Sequence, residues 1–118
     1  MYEYDIVNIA RVIDGDTYDL DLDLGFHTTL RVRIRCMDVD TWELYGRNTH
    51  PLGKNATRFA EEWLNNYHIN GGLTIQTSKL NPKTPVGDGS FGRWAGRIAN
   101  ANGDLLSDAL INAGMVKE

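Results

Sequence analysis

The chain has 118 residues, of which 42% are hydrophobic and 24% charged, a composition that predicts one soluble globular domain over residues 1–118. No apolar stretch is long enough to cross a membrane, and residues 1–5 lack the basic region and apolar core of a signal peptide. We therefore expect a cytoplasmic protein, and secretion would require a leader that has been removed. The formal net charge of −4 argues against holding polyanions by bulk electrostatics.

The first part of the chain alternates apolar and polar residues, which is the pattern of β-strands with one buried face. Residues 4–13 are rich in Val, Ile and Tyr and predict a first strand. Residues 17–24 predict a second strand, with Tyr18, Leu20, Leu22 and Leu24 inward. Residues 29–36 predict a third strand, in which the single cysteine, Cys36, is expected to be buried and unreactive.

The polar faces of the second and third strands carry opposite charges. If these strands pair, three aspartates face three arginines: Asp19, Asp21 and Asp23 against Arg31, Arg33 and Arg35. Each such cross-strand pair adds about 0.2–1 kcal/mol. We therefore interpret the repeated arginines as a surface charge ladder and not as a nucleic-acid patch. Arg35 is the exception, because it stands at the end of its strand beside Asp40.

The middle of the chain predicts a loop, a helix and a strand. Residues 44–53 contain two glycines and a proline and predict a loop. Apolar residues at offsets of three and four predict an amphipathic helix over residues 54–67. Residues 73–77 predict a fourth strand. A lone histidine, His50, has no partner at a useful spacing, and we expect it to be structural or solvated.

The last part of the chain completes a mainly β, α+β domain. Residues 81–90 carry two prolines and two glycines and predict a loop that forms a mobile flap over the functional site. Residues 94–99 predict a fifth strand. Asp104 is the expected cap of a final helix that Gly114 ends. Strands clustered early, one helix, two more strands and a last helix predict a five-stranded barrel with two packed helices.

Two segments concentrate carboxylates where strands end. Residues 11–17 are a short apolar run followed by two aspartates that flank a glycine, and residues 35–43 hold one arginine, three carboxylates and a threonine. Asp-Gly is first of all a turn sequence, and polar residues after a strand commonly form a solvated loop. Carboxylates this close together repel unless a cation offsets them, so a metal site is the other interpretation.

Together the two acidic segments resemble the staphylococcal nuclease (thermonuclease) family. Its signature is an apolar strand ending in Asp-Gly-Asp-Thr, then an arginine followed five positions later by Asp-Thr-Pro-Glu, and further on Tyr-Gly-Arg. Here these are Asp14-Gly15-Asp16-Thr17, Arg35 with Asp40-Thr41-Trp42-Glu43, and Phe91-Gly92-Arg93. The resemblance covers nearly the whole chain, and it implies an oligonucleotide/oligosaccharide-binding (OB) fold for the barrel.

The resemblance implies a calcium ion and a water-activating carboxylate. Asp16, Asp40 and the carbonyl of Thr41 match the positions that bind Ca²⁺ in the family, and hard divalent cations prefer such oxygen ligands. Glu43 matches the carboxylate that positions or deprotonates the attacking water. Asp14 is a plausible outer-shell acid next to these ligands.

The resemblance also implies how the phosphate and the base are held. Arg35 and Arg93 match the two arginines that grip the phosphate, since guanidinium forks bind phosphate oxygens bidentately. Phe91 replaces the tyrosine of the family pattern. Its ring can still stack on a nucleobase, which is worth about 1–3 kcal/mol, but the hydroxyl contact to phosphate is lost.

Three further features depart from the family pattern. Trp42 stands where the family has proline, which makes the loop less stiff and affects how Glu43 is aimed. Asp38 falls where glycine or an aliphatic residue is usual, so it either adds a third carboxylate near the metal or faces solvent. The chain stops at Glu118, before the third helix of the family and its second nucleotide-stacking tyrosine, and we expect nucleotide affinity to be lower or to be supplied by a partner chain.

Two functions from different classes therefore remain open. The first is a calcium-dependent nuclease that cleaves DNA and RNA with little sequence preference, favours single-stranded substrate and leaves 3′-phosphate ends. The second is an OB-fold module that binds nucleic acid or protein without catalysis, which the acidic charge and the lost stacking groups favour. The presence of both acidic segments and both arginines favours the enzyme.

Overall fold

The computed structural model describes residues 2–42, 50–70, 72–79 and 93–117, with the backbone alone of Asn70, Ser78, Lys79 and Arg93. The described elements follow the predicted order. They are β1 (Tyr2–Asp14), β2 (Thr17–Asp23), β3 (Thr29–Cys36), α1 (Pro51–Asn70), β4 (Leu73–Lys79), β5 (Arg93–Asn100) and α2 (Leu106–Asn112). Among these residues no helix combines the length and the apolar composition needed to cross a membrane.

The five strands close into a barrel in the order β1-β2-β3-β5-β4. The long strand β1 pairs with β4 through its first residues and with β2 through the rest, and three register shifts interrupt the pairing with β2. Such irregularities bend a strand and increase its twist, so β1 can follow β4 at its start and β2 along the rest of its length. All pairs are antiparallel except β3 with β5. The predicted OB-fold-like barrel of the mainly β, α+β class is confirmed.

The core lies inside the barrel and under α1. The inward residues of β2 that the alternation predicts, Tyr18, Leu20 and Leu22, are buried. The apolar stripe of α1 covers one side of the barrel, with Ala56, Ala60 and Leu64 buried and larger aromatic side chains at its margin. Cys36 is buried in the same cluster, as predicted, and burial raises the pKa of its thiol to about 12, which keeps it protonated and inert.

The charge ladder between β2 and β3 is confirmed for two of its pairs and is wrong at Asp23, and Arg35 stands outside it, as predicted. Arg31 contacts Asp21 through two nitrogens at 2.8 and 3.2 Å, and Arg33 contacts Asp19 in the same way at 2.9 and 3.2 Å. Asp23 lies opposite Thr29, and its carboxylate instead accepts the amide hydrogen of Gly25 at 2.8 Å. Arg35 lies opposite Thr17, which leaves its guanidinium available for the turn before β2.

Leu24 was predicted to point inward, but it is not part of the buried core. It is 39% exposed, because β2 ends at Asp23 and the next residue, Gly25, turns the chain with a φ of 83°. Only glycine adopts this left-handed region without steric cost. The alternation therefore stops one residue before the predicted end of the strand.

Both helix beginnings differ from the prediction. Helix α1 starts at Pro51, so the last residues of the predicted loop over 44–53 are helical, and residues 43–49 lie outside the described part. Proline suits the first helical position, where its missing N–H is not needed. In α2 the residue before the helix is Leu105, without a side-chain cap, and Asp104 instead accepts a hydrogen bond from Asn100 Nδ2 at 3.3 Å. Gly114 ends α2 with a φ of 73°, as predicted.

Two residues on the same face of β3 test where the barrel core ends. Ile34 is fully buried, whereas Leu30 is 53% exposed although the alternation treats the two alike. We expect Ile34→Ala to lower the free energy of unfolding by about 2–5 kcal/mol, as for other buried large-to-small changes. Leu30→Ala should cost about 0.5 kcal/mol, as for an exposed position. Urea unfolding of both variants measures this, and equal losses would contradict the assignment.

Candidate functional site

The turn between β1 and β2 is fixed by a close approach to the rest of the chain. A Cβ atom on Gly15 would lie 2.7 Å from Oγ1 of Thr41 and 2.8 Å from Cβ of Ala56 on α1. Real side chains do not tolerate such contacts, so a residue without Cβ is required here. The buried hydroxyl of Tyr18 donates a hydrogen bond to the Gly15 carbonyl at 2.6 Å, which stabilises the turn. The Asp-Gly turn is thus confirmed and is also the place where three segments meet.

Asp16 is buried in this turn with its charge matched on several sides. The residue is 6% exposed, and its Oδ2 lies 2.6 Å from Nη1 of Arg35. The same oxygen accepts the backbone N–H of Thr41 at 3.0 Å, and Oδ1 accepts the hydroxyl of Thr17 at 3.2 Å. Because Asp16 precedes the first residue of β2, it lies inward without interrupting the apolar alternation of that strand.

Arg35 joins the two acidic segments. Besides its contact with Asp16, its Nη1 donates to the Val39 carbonyl at 3.1 Å. Its Nη2 lies 3.5 Å from Oδ1 of Asp40, whose side chain is 62% exposed. One guanidinium therefore lies between a buried and an exposed carboxylate that are far apart in the sequence. The structure brings together Asp16, Arg35 and Asp40, as the sequence predicts.

The segment after β3 is held in place by the end of the chain. Thr41 pairs with Val116 in an isolated antiparallel bridge, and the backbone N–H of Lys117 donates to the Asp40 carbonyl at 2.8 Å. Thr41 is buried, and its Oγ1 has no hydrogen-bond partner among the described residues. The backbone N–H of Thr41 donates to Asp16, whereas the resemblance assigns the carbonyl of Thr41 to the metal.

Trp42 is positioned by stacking where the family has a proline. Its ring stacks on His50 with a centroid distance of 4.1 Å and an interplanar angle of 23°. His50 Nδ1 also accepts the backbone N–H of Leu52 at 3.1 Å, so the histidine is structural, as expected. The ammonium of Lys117 lies 5.5 Å from the Trp42 ring centroid, within range of a cation–π interaction.

Asp38 pairs with an arginine and, among the described residues, does not form a three-carboxylate group with the two predicted metal ligands. It contacts Nε of Arg97 at 3.1 Å, and its backbone has a φ of 69°. Aspartate tolerates this left-handed conformation better than most residues. Of the two interpretations for Asp38, the surface position paired with an arginine is the one observed.

Asp14, at the end of β1, is a carboxylate with a raised pKa. Burial, followed by the hydrogen bond and the charge of neighbouring Asp16, raises the pKa of Asp14 from 3.8 to about 6. Asp14 Oδ1 accepts the backbone N–H of Asp16 at 3.2 Å, which partly opposes this shift. Asp14 thus lies next to the candidate ligands, where the sequence predicts an outer-shell acid.

Three predicted site residues lie wholly or partly outside the described part of the chain. Glu43 and Phe91 lie outside the described residues, and of Arg93 the backbone is described. That backbone pairs with Arg33 in the parallel β3–β5 ladder, two positions before the level of Arg35. Arg93 is therefore the first residue of β5, which pairs with β3, the strand that carries Arg35.

The donor chemistry around Asp16 suits a hard divalent cation, with few protein ligands. Within the described ranges, no three His, Cys, Asp or Glu side chains lie close enough together to hold a metal ion. Asp16 and Asp40 are two carboxylates on one guanidinium, and the Thr41 main chain lies against Asp16. Ca²⁺ completes its shell of 6–8 oxygens with carbonyls and water as readily as with carboxylates. The residues present therefore fit a partly hydrated ion.

The sequence matches no protein-family model and no curated protein.

The raised pKa of Asp14 predicts a pH-dependent stability. Because the folded pKa of about 6 exceeds the ordinary 3.8, the folded state binds this proton more tightly than the unfolded state does. The group therefore lowers the free energy of unfolding as the pH rises from about 4 to about 7. In Asp14→Asn this contribution is absent, while the amide oxygen can still accept the Asp16 N–H.

We expect thermal unfolding to show that Asp14→Asn gains stability relative to the wild type as the pH increases over this range. A difference in melting temperature that stays constant from pH 4 to pH 7 would contradict the assignment.

Proposed function

We propose that the protein is a staphylococcal-nuclease-like hydrolase, a calcium-dependent phosphodiesterase that cleaves DNA and RNA with low sequence specificity. The observation that carries the proposal is the convergence of Asp16, Arg35, Asp40 and the Thr41 backbone on one another. These residues come from two segments separated by the β2–β3 hairpin.

Arg35 is the phosphate-binding group of this proposal. Its contacts with Asp16 and with the Val39 carbonyl fix the orientation of the guanidinium, and its side chain remains 26% exposed. Planar guanidinium groups bind two phosphate oxygens at once, which a lysine does not do. A fixed and partly exposed arginine stabilises the negative charge that develops on the phosphate during cleavage. Arg93, which enters on the neighbouring strand, is the second arginine of the proposal.

Asp16, Asp40 and the Thr41 carbonyl would hold the calcium ion. When bound, the ion supplies Lewis-acid polarisation of the phosphate. Asp40 is exposed enough to exchange its contact with Arg35 for another cation, whereas buried Asp16 keeps the local backbone in place. Glu43, three residues after Asp40, is the proposed base for the attacking water, and its water must lie within hydrogen-bond reach.

The net negative charge of the chain affects how a nucleic-acid substrate is bound. With a net charge of −4, non-specific attraction to the phosphate backbone is weak, so binding depends on the local site. Single-stranded or frayed DNA and RNA suit this arrangement, because their backbone can bend into a compact site and Phe91 can stack on a base. By resemblance to the family, the products carry 3′-phosphate ends.

One observation favours the second candidate, a barrel module without catalytic activity. The buried carboxylate of Asp16 is already neutralised by Arg35, so the described residues form a satisfied ion pair without any metal. In that case the cluster fixes the turn between β1 and β2, and the protein binds nucleic acid or protein partners without cleavage. Activity measurements distinguish the two candidates directly.

A cleavage assay with matched variants tests the proposal. Purified protein is incubated with single-stranded DNA in Ca²⁺ and then in excess chelator. Arg35→Lys keeps the positive charge beside Asp16 but loses the bidentate fork, and it should reduce the rate by about 10²–10³, as for the loss of a transition-state donor. Arg31→Lys makes the same change in the charge ladder and should leave the rate unaltered.

Asp40→Asn and Arg93→Ala should also abolish most cleavage, whereas Asp21→Asn, a carboxylate of the ladder, should not. Cleavage that persists in chelator or in Asp40→Asn would contradict the proposed calcium site. Binding of single-stranded DNA without cleavage in the wild type would support the module instead.

A further inference from the structure

Lys117 is held at the edge of the candidate site by contacts that sequence patterns do not predict. Its backbone N–H donates to the Asp40 carbonyl at 2.8 Å, and its ammonium lies 3.8 Å from Asp40 Oδ1. The ammonium also lies 5.5 Å from the centroid of the Trp42 ring. Two neighbouring residues therefore hold both the main chain and the charged end of this lysine.

Lys117 and Arg35 share one carboxylate oxygen. Arg35 Nη2 lies 3.5 Å and Lys117 Nζ 3.8 Å from Oδ1 of Asp40. Both distances exceed those of good charge-assisted hydrogen bonds, so neither cation is tightly engaged by Asp40. Asp40 is largely exposed, and a loose pair with such a carboxylate adds little stability. The arrangement thus costs little to open when another anion competes for the two cations.

The charge balance of the four side chains around Asp40 indicates that the competing anion is a phosphate group. Asp16 and Asp40 carry two negative charges, and Arg35 and Lys117 carry two positive charges, so these four side chains sum to zero. A divalent cation on the carboxylates brings the sum to +2 and weakens the hold of Asp40 on both Arg35 and Lys117. The side chain of Lys117 is 27% exposed and can then meet a phosphate group near the one that Arg35 binds.

We propose that Lys117 is a further phosphate-binding cation of the site, in addition to Arg35 and Arg93, and that Asp40 and the ring of Trp42 hold it there. This inference rests on the proposed nuclease function and extends it to the neighbouring phosphate of the bound nucleic acid. Trp42 is a positioning residue, because it acts on the substrate through Lys117. Its stacking on His50 fixes the ring against which the ammonium lies.

Salt dependence of binding is the appropriate readout, because each phosphate contact releases bound counterions. For single strands the slope of log K against log salt concentration changes by about 0.7 for each phosphate contact. We would measure fluorescence anisotropy of a short labelled oligothymidylate in Ca²⁺. Every protein in the series carries Glu43→Gln, which suppresses cleavage during the measurement.

Three substitutions are compared in that background. Lys117→Gln should make the slope shallower by about 0.7, and Lys117→Arg, which keeps the charge, should restore it. Arg31→Gln removes a positive charge four residues before Arg35 on β3, roughly 13 Å away at about 3.3 Å per residue, and should leave the slope unaltered. Thermal unfolding confirms that all variants are folded under the binding conditions.

Each outcome decides the inference. An unaltered slope in Lys117→Gln would overturn it while leaving the nuclease proposal intact. A slope that is equally shallow in Lys117→Arg and Lys117→Gln would also overturn it, since the lysine would then act through packing and not through charge. No binding of the oligonucleotide by the Glu43→Gln parent at any salt concentration would overturn both proposals.

Discussion

The site depends on the ion pair between Asp16 and Arg35. Asp16 is 6% exposed, and an isolated carboxylate in that position would be strongly disfavoured. Arg35 at 2.6 Å, the Thr41 amide and the Thr17 hydroxyl together satisfy it. Removing one member of a buried pair typically costs about 3–5 kcal/mol, because the other charge is left unmatched. Any substitution of Arg35 that removes its charge therefore affects folding as well as chemistry.

The barrel supplies the geometry that this ion pair needs. Pairing of β2 with β3 places Arg35 opposite Thr17, beside the turn that carries Asp16. The missing side chain of Gly15 lets Thr41 and α1 approach that turn, and the bridge between Thr41 and Val116 fixes the segment from the other side. Fold and site are thus coupled: the contacts that close one end of the barrel also bring the carboxylates together.

Local patterns predicted most of the fold and failed at the ends of elements. Alternation predicted the strands because burial on one face dominates their energetics. Leu24 and Asp104 were assigned wrongly because a glycine turn and a hydrogen bond to Asn100 decide their positions. In the site, the meeting of Asp16, Arg35 and Asp40 was predictable by resemblance. The place of Lys117 was not, since it depends on pairing between Thr41 and Val116, which no local sequence pattern reports.

Direct measurement of calcium binding tests the central claim, that the carboxylates joined by Arg35 form a divalent-cation site. We predict that isothermal titration of Ca²⁺ detects one site in the wild type, that Asp40→Asn loses it, and that Asp21→Asn retains it. Asp21 is the matched control, because its carboxylate also contacts an arginine but lies in the charge ladder. No calcium binding by the wild type, or equal binding by Asp40→Asn, would contradict the account.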